Sequence, residues 1–223
     1  MRWRSLRRRR SRISKQDLHY VIVFAIIATI VASSLTYVTL NPPPEEQFFA
    51  SWVLGAQGMA ADYYPNNNPN INPGTQVTWT LGVYNHMGSL QYVVLRVKLL
   101  NSTMEAPNDT TGQPSQAPIV LEFARVLVNN ETWSIPFVWE IQNATATQGT
   151  VTITGLSINQ TALAGQFASA YSGQNFRFVF ELWHYDATTN QLSFTWTTSD
   201  GQLHAAWTQI WFSTTPSATP SGQ

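Results

Sequence analysis

The stretch Tyr20–Leu40 (YVIVFAIIATIVASSLTYVTL) carries no charged residue, no Pro and no Gly. At a rise of about 1.5 Å per residue, such a helix is about 31 Å long, enough for a hydrocarbon layer of roughly 30 Å. Tyr20 and Tyr37 lie near its two ends, where amphipathic rings favour the membrane interface. A chain with this segment is expected to be anchored in a bilayer, and everything after it must fold on one side.

The charges say which side. Eight of the twelve Lys and Arg residues fall in the first fifteen positions. Beyond Asn41 only Arg96, Lys98, Arg125 and Arg177 remain, against eleven acids, which gives the body a charge of −7. A basic run ahead of the span keeps the N-terminus in the cytoplasm and sends the body across. Its arginines are read as topological, with membrane lipid as their partner, and not as a nucleic-acid site. A cleaved signal peptide is the rival reading, because Ala32-Ser33-Ser34 imitates a cleavage site; the apolar run, however, continues past it. The organisation expected is a cytoplasmic tail over 1–17, a span over 18–40, a Pro-rich spacer over 41–47, an ectodomain over 48–212 and a disordered Ser/Thr/Pro tail over 213–223.

The body reads as strands. Gln76–Tyr84 places Val77, Trp79, Leu81 and Val83 on one face. Asn85–Ser89 is read as a turn, after which Tyr92–Leu100 returns with Arg96 and Lys98 on the polar face. Ile119–Val128, Ile135–Ile141, Thr150–Thr154, Phe176–Tyr185, Leu192–Thr198 and Leu203–Phe212 complete the set. Thr161–Ser172, rich in Ala, is read as mildly helical or as a loop. Long loops are expected over Ala56–Thr75 and Asn101–Pro118. The fold class is therefore mainly β: a single N-terminal transmembrane helix followed by an extracytoplasmic immunoglobulin-like β-sandwich.

Five Asn-x-Ser/Thr triplets, at Asn101, Asn108, Asn130, Asn143 and Asn159, all lie in the body. They are candidate glycan acceptors, with Asn101 and Asn108 favoured because the expected loop exposes them.

Several stretches resemble the archaeal membrane-protein family known as domain of unknown function 1616. Leu54-Gly55-Ala56-Gln57-Gly58-Met59-Ala60-Ala61-Asp62-Tyr63-Tyr64-Pro65 is similar to that family's opening, with Ala56 in place of Pro and a doubled Tyr. Gly82-Val83-Tyr84-Asn85-His86 and Asn130-Glu131-Thr132-Trp133 with Pro136-Phe137 resemble later segments, and Phe178–Tyr185 and Ile210–Phe212 its closing strands. The resemblance spans about Phe48 to Phe212. It implies an archaeal envelope protein with an external β-domain and assigns no reaction.

Chemistry is sparse. Without Cys, thiolate metal sites and Cys nucleophiles are excluded. His86, His184 and His204, with Asp186 or Asp62, are the ligands a metal site would need, but no two histidines share a ligand spacing. Glu122, Glu140, Glu181, Asp186 and Asp200 are scattered, mostly on expected solvent faces. Glycine-rich phosphate loops and a serine-hydrolase elbow are absent. No cofactor and no catalysis are expected. Of nine tryptophans, Trp79, Trp139 and Trp196 fit a core, whereas Trp183, Tyr185, Trp207 and Trp211 form a candidate binding strip. The leading expectation is a non-catalytic envelope protein binding a membrane-complex or surface-layer protein. A metal-carrying redox accessory and a carbohydrate-binding module are the alternatives.

Overall fold

A computed structural model describes residues 15–41, 46–198 and 201–217. The chain forms two units, residues 1–45 and 46–223. In the first, α1 spans Lys15–Leu40, and within it Leu18–Leu40 is long and apolar enough to cross a membrane. The hydroxyls in this segment are no obstacle to that. Those of Thr29, Thr36 and Thr39 donate to the carbonyls of Ala25, Ala32 and Leu35, at 2.8, 2.8 and 3.0 Å. Each returns to its own helix the hydrogen bond that lipid cannot supply.

The second unit begins with β1 (Phe48–Leu54), followed by β2 (Gln76–His86), β3 (Gln91–Leu100) and β4 (Ile119–Leu127). Then come β5 (Glu131–Thr147), β6 (Thr150–Ile158), β7 (Thr161–Tyr171) and β8 (Phe176–Asp186). Two short strands, β9 (Gln191–Ser193) and β10 (Thr195–Thr197), precede β11 (Leu203–Phe212). One sheet has the order β1-β2-β5-β6-β7 and the other β10-β11-β8-β3-β4, with β9 beside the end of β8. Every pairing between these strands is antiparallel. The chain crosses between sheets from β2 to β3, β4 to β5 and β7 to β8, so that β5 returns beside β2 and β8 beside β3. That is the order of an immunoglobulin-like sandwich, with the β6–β7 hairpin extending one sheet.

The period-two pattern puts the aromatics between the sheets. Trp79 stacks on Phe137 at 6.0 Å and meets Trp139, Phe178 and Phe180, all fully buried. An aromatic side chain buries about 150–250 Å², worth about 4–6 kcal/mol each as an upper bound at ~25 cal/mol/Å². Trp79 Nε1 donates to the Tyr63 carbonyl at 2.6 Å, tying the 56–75 loop to the core. Trp196 is also buried, as expected.

Some expectations are corrected. Thr161–Ser172 is neither helix nor loop: all but its last residue form β7. Asn159 and Gln160, both at positive φ, make the tight turn that folds it onto β6, and Ala168 and Ala170 face the core. The helix propensity of Ala is a weak prior beside a ready ladder and a core to cover. β1 carries no sequence expectation at all. Leu192–Thr198 breaks at Phe194, because β9 pairs with β8 and β10 with β11. The β2–β3 connection is not a hairpin but a sheet-to-sheet corner. Buried Asn85 organises it, its Nδ2 donating to the carbonyls of Ser89, Leu127 and Val128 and its Oδ1 accepting from Met87 N. Asn85 and Gly55, whose Cβ would strike the Ala61 carbonyl, thus shape turns in the segments that carried the family resemblance. The start of the expected tail is tied down: Ser213 pairs with Asn70, Thr214 is buried, and Ser217 N donates to Ala144 O at 2.8 Å. Most of the expected spacer and residues 218–223 lie outside the described residues, as do Ser199 and Asp200 of the last turn.

Candidate functional site

The outer face of the second sheet gathers most of the body's cations and the four candidate aromatics. Strand register builds it in rows. Glu122, Arg96, Glu181 and Trp207 lie side by side across β4, β3, β8 and β11. The next row holds Lys98, Val179 and Gln209, and the one after it Leu100, Arg177 and Trp211.

Lys98 and Glu181 were expected to face solvent, but both are buried. Their side chains are 5% and 0% exposed and lie 2.8 Å apart. The cover is the 101–118 loop, folded over the sheet. Lys98 Nζ donates to the Ser115 carbonyl at 2.5 Å, and Ser115 N donates to Glu181 Oε1 at 2.8 Å. Trp183 Nε1 donates to the other carboxylate oxygen at 3.1 Å. Four polar contacts thus satisfy a charge pair that would otherwise be costly to bury. Arg177 reaches the same loop through Met104 O at 2.6 Å and bonds Gln209 Oε1 at 2.8 Å; burial pulls its guanidinium below the usual arginine range.

The aromatics share this face without making an open platform. Arg96 lies over the Trp183 ring at 4.0 Å and Arg177 over Trp211 at 4.6 Å. Trp207 Nε1 donates to Asp109 of the covering loop. Tyr185 bonds Asn190, in the turn that follows β8. Guanidinium groups thus occupy a ring face of Trp183 and of Trp211, where a sugar would stack. The register puts the four on one sheet face, and the loop and the arginines occupy most of it.

The histidines are not brought together. His86 ends β2 beside Tyr84 and Asn130, His184 Nε2 meets Thr195 O at 3.1 Å, and His204 stacks on Trp196 at 5.9 Å. Among the described residues no group of three His, Asp or Glu side chains could hold a metal. Asp186 is at the end of β8, its carboxyl held below the usual range by the Thr188 N–H and the Thr189 hydroxyl. Asp62 lines an open groove of about 330 Å³ with Tyr63, Tyr64 and Gln76. Tyr64 donates to the Trp211 carbonyl; burial, and then Tyr63, push its phenol well above the ordinary value.

The five acceptor asparagines differ in one atom, Nδ2. Asn101 Nδ2 donates to Ser169 O at 2.7 Å, Asn143 Nδ2 to Thr154 Oγ1 at 2.9 Å and Asn159 Nδ2 to Pro136 O at 2.8 Å. Asn143 also lies inside β5, at a bulge, and not beyond a strand end. Among the described residues Asn108 and Asn130 bond only through Oδ1, which leaves their amide nitrogens without a partner there.

Pattern reading missed the β7 edge. This strand (TALAGQFASAY) closes its sheet with no charged residue and no Pro. Asn101 caps the Ser169 carbonyl, while Thr161, Ala162, Ala164, Gly165 and Gln166 are exposed. In the other sheet the edge strand β4 carries Glu122 and Arg125, paired with Arg96 and Glu131 at 2.7 and 2.8 Å. Edge strands are normally blunted by such charges.

No family model matches the chain, and no curated protein matches it. Among solved structures it is similar to the crystal structure of the CARDB domain of the PF1109 protein in complex with di-metal ions, from Pyrococcus furiosus. The TM-score is 0.35 and the identity 10%, over 78% of this chain and 99% of that one. The strand order described above stands without it.

Proposed function

We propose that this chain is a single-pass membrane protein, basic tail in the cytoplasm and sandwich outside, that works by binding and not by catalysis. Its partner in this reading is a protein of the envelope, either a membrane complex to which it is an accessory subunit or the surface layer. The observation that carries the reading is the β7 edge: an uncharged strand at the end of a sheet, exposed at Thr161, Ala162, Ala164, Gly165 and Gln166 and bulged against β6 between Ala164 and Ala168. An extended segment of a partner satisfies such an edge by adding a strand, with main-chain hydrogen bonds supplying affinity. The alternatives find less support. A redox accessory needs histidines that converge, and a carbohydrate module would have to share Trp183 and Trp211 with Arg96 and Arg177. The resemblance to the archaeal envelope family belongs with this reading.

Photo-crosslinking in native membranes tests it. A crosslinking residue at Ala164 or Gln166 of the full chain should give one protein adduct of defined mass, and the same residue at Ala124 of β4 should not. Equal adducts from both edges, or none from β7, would refute strand addition.

A further inference from the structure

One end of the sandwich is unusually apolar, and it is the end at which the chain enters from the helix. Phe48, the first residue of β1, pairs with His86 at the end of β2, and Asn85 pairs with Glu131 at the start of β5. In the other sheet Gln91 pairs with Leu127, and Val93 with His184. This end, the base, therefore holds the 87–92 corner, the 126–131 connection, the end of β8 and the start of β11. Leu90 is 63% exposed, Val128 54% and Leu203 43%. Tyr92 pairs with Val126 and lies one step beyond the Val93–His184 pair, which sets Tyr185 beside it on the same face. All three are exposed. Among the described residues of the sandwich, the exposed large apolar side chains away from the base are Met59, Ile119, Tyr171 and Trp211.

Aliphatic tips bordered by tyrosines suit a bilayer interface, where the rings sit at headgroup level. Among the described residues the charges at the base are Glu46, Asp186 and the Arg125–Glu131 pair, with His86 hydrogen-bonded nearby. They offer no basic patch for anionic lipid, so the fitting surface is zwitterionic or uncharged. The tether limits the reach: residues 41–47 join Leu40 to Phe48, and even fully extended they span at most about 29 Å.

We propose that the base docks on the lipid interface of the bilayer that α1 crosses, with Leu90, Val128 and Leu203 entering the acyl boundary and Tyr92 and Tyr185 at headgroup depth. The inference rests on α1 being a membrane span. The chain has no native Cys, so single labels can be placed cleanly. Full-length L90C, V128C and L203C, with M59C and Y171C as controls, would carry an environment-sensitive fluorophore in phosphatidylcholine vesicles. Base labels should emit blue-shifted light and be quenched by doxyl lipid more than by aqueous iodide, and the control labels the reverse. Protein that floats with vesicles while its base labels are iodide-accessible overturns this inference alone. Protein that does not float overturns the membrane span, and this inference with it. A base response that requires phosphatidylserine refutes the uncharged surface, and sugar on Asn130 of native protein, at the base, refutes close docking.

Discussion

Replacing Lys98 with Met should be among the most damaging single changes on the outer face of the sandwich. Met matches the length of the lysine stem but leaves the Glu181 carboxylate, 0% exposed, with only the Ser115 and Trp183 N–H donors and, among the described residues, no cation within ion-pair distance. Removing one member of a buried pair costs about 3–5 kcal/mol. For a domain of this size, about 2–4 °C of Tm is lost per kcal/mol, so the melting temperature should fall by about 6–20 °C. The double variant K98M/E181L removes the stranded charge and orphans two donors instead, so it should be more stable than K98M by more than about 1 kcal/mol. Residues 46–223 carry their own core, and urea unfolding followed by tryptophan fluorescence reads these differences. Hydrogen exchange should rise at Ser115 in K98M, because both ends of the pair hold that loop. The reasoning fails if K98M costs less than about 1 kcal/mol, or if the double variant is no better than the single.

The Trp52 ring lies where a Cβ on Gly82 would go, so G82A should destabilise the β1–β2 pair by about 1–3 kcal/mol, measured in the same unfolding assay. Burial raises the Tyr64 phenol in the folded state, so its contribution to stability is complete below the unfolded value of about 10 and is lost as pH rises from there toward the folded value. An alkaline titration of stability should therefore slope downward above about pH 10, less steeply in Y64F. For glycans, mass spectrometry of native protein should find sugar on Asn108 before Asn101, Asn143 or Asn159, and N108Q should remove that mass while costing less than about 0.5 kcal/mol. A reporter active only in the cytoplasm should be silent when fused at Gln223, and replacing Arg7–Arg10 with Glu should weaken that orientation.

Periodicity and composition determine a large part of this molecule. Tyr20–Leu40 needs no neighbour to be read as an apolar helix of membrane length, because length and absence of charge are properties of the segment itself. Gln76–Tyr84 and Phe176–Tyr185 announce their core faces because every second side chain must lie on the same side of a strand. Tertiary structure decided what local pattern does not encode. Arg96 and Lys98 look equivalent on β3, yet only Lys98 is sealed in, because a loop from the next connection folds over it and supplies Ser115. Thr161–Tyr171 became a strand through β6 beside it and the Asn159-Gln160 turn. The aromatics of β8 and β11 share a face by register, but whether that face is open depended on Arg96, Arg177 and Asp109, which come from β3, from β8 itself and from the covering loop. A local period says which way a side chain points, and only the folded chain says what has been laid on top of it.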